Sequence, residues 1–164
     1  MNLDFEIDNT RFNARASAII YNKDKTKVLL FKIIDRDYFM LPGGRIEIYE
    51  DSLNAVKREV KEETGFNLEF ELCSIQENFL EKNNQKIMQY CFCYKSIYNE
   101  DITQEKFVCK DNKGQMFYWI NINDLQNYKL LPDSTYELIK DSGNIKHIIE
   151  KQKIYLNYVI KNIL

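Results

Sequence analysis

The segment SLNAVKREVKEET, residues 52–64, restricts the fold of this chain more than any other. Asp51 or Ser52 offers an N-cap, and Gly65 follows the last residue, so the segment reads as one helix with defined ends. On a helical wheel Leu53, Val56 and Val60 fall at i, i+3 and i+7 and define a core face. Glu62 lies about 60° to one side of Glu59 and Glu63 about 40° to the other, so the three carboxylates share an adjacent wedge. Such a helix must lie on another layer of structure, with its acids at the margin of the buried side.

That arrangement is locally unfavourable. A helix C-terminus carries roughly half a negative charge and is stabilised by cations. Glu59 and Glu63 also form a like-charge i, i+4 pair, destabilising by roughly 0.2–0.5 kcal/mol, which an Arg58–Glu62 pair at the same spacing offsets in part. An acidic run alone is more often a solvated helix face. Here Gly43-Gly44 provides a loop whose backbone can approach a ligand closely, and Glu50 adds an acid at the helix entrance. Oxygen donors without nitrogen or sulfur suit a hard divalent cation such as Mg²⁺.

The rest of the chain supplies sheet. Residues 14–21 and 27–34 read as strands around the polar loop NKDKTK, and YFML (38–41) as a short strand running into Pro42-Gly43-Gly44. NLEFELCSIQENFL and KIMQYCFCYKSIY form two long β-like runs joined by EKNNQK, and QMFYWINI (115–122) is a further strand. NDLQ and DSTYELIKD suggest short helices on either side of Pro132. The stretch 144–164 is apolar enough to pack, and its pattern fits strand or helix. Few helices among many strands indicate an α/β or α+β domain with a mixed sheet. With 164 residues and no linker or repeat, a single domain over 1–164 is expected, with 133–164 as a C-terminal extension packing on it.

Composition narrows the function classes. Lys plus Arg number 23 and Asp plus Glu 25, for a net charge of −2, so a large nucleic-acid footprint is disfavoured. No run approaches the roughly 20 apolar residues of a membrane span, and the N-terminus has no signal-peptide pattern, so a cytoplasmic location is expected. Cys73, Cys91, Cys93 and Cys109 include no Cys-x-x-Cys pair and read as buried reduced thiols. His147 is the only histidine, which argues against a zinc site and against Ser-His-Asp or Cys-His chemistry.

GRIEIYEDSLNAVKREVKEETGF resembles the signature of the Nudix, or MutT-type, hydrolases: Gly44, Glu50, Arg58, Glu59, Val60, Glu62, Glu63, Gly65 and Phe66 stand at its specified positions. The likeness extends to RASAIIYNKDKTKVLL and MLPGGRIE before the motif and FYWININD after it, covering about residues 14–132. The resemblance implies an α/β/α sandwich with a mixed sheet. It also implies hydrolysis of a nucleoside diphosphate linked to another moiety, with Mg²⁺ or Mn²⁺ held by Glu59, Glu62 and Glu63, helped by Glu50 and a Gly43 or Gly44 carbonyl. Arg58 would hold the glutamates in place, and Glu63 is the expected base. Gln115 stands where many members have an acid, leaving Asp111, Glu105, Asp101 and Glu100 as candidates for a late acidic residue. Tyr49 stands where glycine is common, and packs in the loop or stacks on substrate.

Substrate clues are sparse. Arg15, Arg36 and Arg45 are candidate phosphate contacts. Met88, Tyr90, Phe92 and Tyr94 alternate along one strand, as a core stripe in preference to a stacking face. The expected partner is a small nucleotide diphosphate derivative, with a homodimer possible. Two alternatives stand beside hydrolysis of a small nucleotide: a Nudix-like sensor that binds without cutting, and an RNA-end pyrophosphohydrolase.

Overall fold

The structure is a computed structural model that describes residues 1–154 apart from 83 and 142. Its strands are β1 (Asp4–Ile7), β2 (Thr10–Asn22), β3 (Lys27–Ile33), β4 (Tyr38–Phe39), β5 (Gly43–Arg45), β6 (Glu71–Lys82), β7 (Gln85–Tyr98), β8 (Lys106–Val108), β9 (Gln115–Asn121), β10 (Lys129–Leu130) and β11 (Lys146–Ile154). The helices are α1 (Ser52–Thr64) and α2 (Thr135–Lys140), with a 3-10 turn over Ile122–Asn127.

The large sheet runs β11-β6-β7-β2-β3-β9-β8, with β1 and β5 also paired to β2. Strand β2 organises it. One edge of β2 runs parallel to β7 from Thr10↔Lys86 to Asn22↔Tyr98. The other edge is antiparallel in turn to β1, β5 and β3. The two long β-like runs pair antiparallel as β6 and β7. Residues 146–154 settle as a strand parallel to β6; residues 155–164 of the stretch whose pattern was ambiguous lie outside the described residues.

Alternation along β2 sends its residues to two separate cores. Ala14, Ala16, Ala18 and Ile20 meet Ala55, Val56 and Val60 of α1, and the small alanines leave room for the helix backbone. Ile19 and Tyr21 point the other way, to Leu125, Leu138 and Ile139 in the 3-10 turn and α2. Helical layers therefore cover both faces of a mixed sheet, the α/β/α arrangement expected. Phe92 and Tyr94 belong to the α1-side core, and Tyr90 packs edge-on against Phe12, so that stripe is packing.

Two expectations about packing are corrected. Leu53 is 37% exposed, although its angle lies within the buried arc of α1. Its exposure is an end effect of the first turn, and the core face consists of Ala55, Val56, Val60, Glu63 and Thr64. Tyr49 does not pack in its loop: it is fully exposed and holds φ at 68°, the left-handed conformation that glycine adopts without strain. All four cysteines are buried and free.

Candidate active site

Helix α1 is capped by Asp51, whose carboxylate accepts from the Asn54 amide at 2.8 Å. It ends at Gly65, with φ at 83° and its amide bonded to the Lys61 carbonyl at 2.8 Å. These ends fix the register of the acids against β5. Gly43 presses on β2 so closely that a Cβ there would sit 2.2 Å from the Ala16 carbonyl oxygen. A Cβ on Gly44 would sit 2.2 Å from the Glu59 carboxylate. Glycine at 44 is thus what allows the acid to lie on the strand.

The three glutamates differ sharply in burial. Glu63 is 5% exposed, Glu59 is half-buried and Glu62 faces solvent. The sequence placed all three at the margin, yet Glu63 lies inside the buried arc. Its Oε2 accepts the Gly43 amide at 3.0 Å. Burial pushes its carboxyl up to about 8; the Gly43 amide opposes this, the Glu59 and Asp111 charges add to it, and Arg15 opposes it. Burial also raises Glu59, against the pull of Arg58.

Arg58 stands in the middle of the acids. It grips Glu50 with two bonds, Nε to Oε1 and Nη2 to Oε2, each 2.9 Å. Its Nη1 donates to Glu59 Oε1 at 2.9 Å and to Glu62 Oε2 at 3.3 Å, and Nη2 reaches the Arg45 carbonyl at 3.1 Å. Glu50 is held below the usual carboxylate range, first by Arg58, and Arg58 is raised in return. Glu50 also accepts the Glu47 amide at 2.9 Å. Both its oxygens are occupied. With Arg58 among them, no three His, Cys, Asp or Glu side chains of the described residues are gathered as a ready metal cage.

Arg15 and Arg45 are cross-strand neighbours on β2 and β5. Arg15 donates to the Gly43 carbonyl at 3.3 Å, which brings it beside the acids. Arg45 pairs with Asp4 of β1 at 2.8 Å, and Arg11 grips the same carboxylate. Sequence reasoning missed Asp4 and Arg11; their only signal was an alternation of charges across a turn that had not been identified. Arg36 is exposed at the end of β3 and does not join this group.

Among the late acids, Glu105 pairs with Lys27, Asp101 with Lys23, and Glu100 accepts from the Tyr98 hydroxyl. Asp111 is different. The Lys110 amide bonds the Glu63 carbonyl at 2.8 Å, so Asp111 follows directly on the end of α1. Its Oδ1 accepts from the Cys109 thiol at 2.8 Å, and burial with that bond pushes the thiol up to about 12. His147 bonds Glu77 across β11 and β6 and stands apart from the acids.

A mixed sheet between helical layers, with an acidic helix docked on a Gly-Gly strand, defines the class of this domain. The chain belongs to the NUDIX domain family, whose profile matches residues 11–141. A Caenorhabditis elegans relative of the nudix hydrolase kind is 34% identical over 127 residues, 75% of this chain and 32% of that protein. An RNA pyrophosphohydrolase of Ruthia magnifica is 34% identical over 124 residues, 76% of this chain and 63% of that protein. The chain therefore spans less than two thirds of either relative. In fold it is similar to a MutT protein from Bacillus halodurans, with TM-score 0.64, 20% identity and coverage of 82% of this chain and 89% of that one. A MutT NUDIX hydrolase from Burkholderia pseudomallei gives TM-score 0.61 at 19% identity, covering 80% of this chain and 98% of that one.

Proposed function

We propose that this chain is a metal-dependent pyrophosphohydrolase acting on a nucleoside diphosphate linked to another moiety. The observation that carries the reading is Glu63: a carboxyl buried beside Glu59, with one hydrogen bond among the described residues and the partial help of Arg15 to compensate it. Burying such a group is costly unless a further cation or proton joins it. The donor set fits Mg²⁺ or Mn²⁺, being all oxygen, with Glu59, Glu62 and Glu63 as the residues that would hold it. When bound, such an ion neutralises phosphate charge and favours ionisation of water.

The chain's own residues supply the rest. Arg58 uses its planar fork to lock Glu59, Glu62 and Glu50 relative to one another. Glu50, with both oxygens committed, acts as a positioning residue for Arg58. Gly43 and Gly44 fix the distance between β5 and the acids. Arg15, and Arg45 beyond it, offer positive charge to the phosphates. Glu63, beside the other acids, is the residue we assign to take a proton from water, and Asp111 is the neighbouring alternative.

A panel of nucleoside triphosphates, nucleotide sugars, ADP-ribose and dinucleotides tests the reading. At least one should be hydrolysed, with turnover lost in EDTA and restored by Mg²⁺ or Mn²⁺. Tight binding of a panel member without turnover would instead indicate a sensor. The RNA pyrophosphohydrolase relative justifies one further arm, a short 5′-triphosphorylated RNA. Its turnover above every small nucleotide would move the substrate class to RNA ends.

A further inference from the structure

Strand β6 departs from regular pairing at one residue. Leu72 lies opposite Tyr94 and Ser74 opposite Cys93, so Cys73 is the extra residue of a bulge against β7. Cys73 and Cys93 share the face opposite α1, in the core formed with Leu138 and Ile139 of α2. The Cys73 thiol donates to the Cys93 carbonyl at 3.2 Å, and the two thiols also interact with each other. Residues that face each other across an antiparallel pair have Cα atoms about 4.5–5.5 Å apart, within the span of a disulfide.

The other two cysteines are engaged elsewhere. Cys91 lies opposite Gln76, one rung further along β7, and its sulfur contacts the Ser17 hydroxyl at 3.3 Å. Cys109 belongs to the core on the α1 side, where it donates to Asp111.

The members of the pair differ in access and in charge environment. Cys93 is fully buried, whereas Cys73 lines a cavity of about 490 Å³ between the sheet and the end of α2, together with Tyr21, Lys95 and Asp141. The Cys93 thiol first, and the Lys95 charge after it, hold the Cys73 thiol below its ordinary value against the effect of burial. Cys93 is pushed up in return, by Cys73 and by burial. A purely structural cysteine sits in apolar surroundings and is inert, while one beside a cation at a cavity wall is reactive.

We infer that Cys73 and Cys93 are a redox couple that a small peroxide entering this cavity closes into a disulfide. The Cys73 thiolate attacks one oxygen of hydrogen peroxide. The O–O bond breaks, hydroxide leaves, and Cys73 becomes a sulfenic acid. The Cys93 sulfur then attacks the Cys73 sulfur; the S–S bond forms, the S–O bond breaks, and the Cys93 proton leaves with that oxygen as water. The pair gives up two electrons, and the peroxide ends as one water and one hydroxide. A dithiol reductant reverses the step by exchange. The couple stands on the thiols alone and is independent of the pyrophosphohydrolase reading.

The test exposes the folded chain to hydrogen peroxide, counts free thiols by alkylation and maps cross-links by tryptic digestion and mass spectrometry. Wild type should lose two of its four free thiols and the mass of two hydrogens, and dithiothreitol should restore both. Lys82 and Lys86 allow cleavage between Cys73 and Cys93, so the cross-link joins separate peptides. Cys91 shares a peptide with Cys93, and Cys91→Ser removes that ambiguity: the cross-link should persist in this variant and vanish in Cys73→Ser. Cys93→Ser should halt at the sulfenic acid, which a cyclic 1,3-dione traps on Cys73. Four free thiols after exposure, a cross-link that reaches Cys91, Cys109 or a second chain, or dione labelling away from Cys73 overturns the couple. If Cys93→Ser does not fold, the Cys91→Ser map decides by itself: a Cys73–Cys93 cross-link upholds the couple, and its absence overturns it.

Discussion

The backbone amide of Gly43 donates to the buried Oε2 of Glu63 over 3.0 Å, tying the last turn of α1 to the central sheet. The same glycine presents its carbonyl to Arg15. One residue thus positions both an acid and a cation of the candidate site. Since Glu63 is buried with incomplete compensation, ionising it costs the metal-free protein free energy that a cation would offset.

Glu63→Gln should therefore be neutral to slightly stabilising in EDTA, since glutamine keeps the oxygen that accepts from Gly43 and loses the charge. At Mg²⁺ about 100 times its Kd, wild type should gain about 2.7 kcal/mol and the variant far less. The variant should also lose at least about 10²-fold in kcat. Thermal melts with and without Mg²⁺, beside steady-state turnover, measure both. A variant several kcal/mol less stable in EDTA would show that the carboxylate is structural.

The two glycines of β5 should separate stability from activity. Gly43→Ala forces a Cβ against the Ala16 carbonyl at φ of 129° and should cost at least about 2 kcal/mol. Gly44→Ala meets first the carboxylate of Glu59, the far end of a flexible side chain, so its cost should stay under about 1 kcal/mol. Displacing that acid should nonetheless lower turnover by about 10²-fold. Denaturant melts and kcat on the same preparations check the split; equal destabilisation by both substitutions would count against it.

On α1, Val60 is fully buried and Leu53 is 37% exposed. Val60→Ala should cost about 1.5–3 kcal/mol, and Leu53→Ala less than about 1 kcal/mol despite removing more side chain. Urea unfolding of the two variants orders them. The reverse order would restore Leu53 to the core.

Asp4 provides a pH signature. Its hydrogen bonds from Arg11, and after them the Arg45 charge, hold its carboxyl below the usual range. An acid with a depressed folded pKa stabilises the fold above its unfolded pKa, and that stability is lost as pH falls through the folded value. Asp4→Asn should then cost about 1–2 kcal/mol at pH 7 and pH 5 alike. The gap to wild type should close below about pH 4. A gap that stays constant down to pH 2.5 in urea titrations would exclude the carboxylate as its source.

Much of α1 was legible in advance because its determinants are local. Asp51 and Gly65 mark its ends, and the spacing of Glu59, Glu62 and Glu63 follows from helical geometry, whatever surrounds them. The strands of the β6–β7 hairpin were legible for the same reason. Leu53 was misread because periodicity gives an angle around the helix but not where the supporting sheet ends. For Tyr49 the sequence left loop packing and stacking on substrate open, because a side chain's packing depends on neighbours its own loop does not supply.

What the sequence determined by itself is the helix with its acids and membership of a family that shares its motif; Gly43-Gly44, which read as a loop, became a strand only by pairing with β2. The helix and its motif rest on hydrogen bonds and side-chain spacings a few residues apart, which the order of residues specifies directly. Tertiary structure alone decided that Glu63 is the buried acid, that Asp111 lies near it, and that Asp4 claims Arg45 and Arg11. It alone brought Cys73 of β6 beside Cys93 of β7. Each of these depends on the register of strands distant in the chain, and register is set by how whole faces of the sheet bury together.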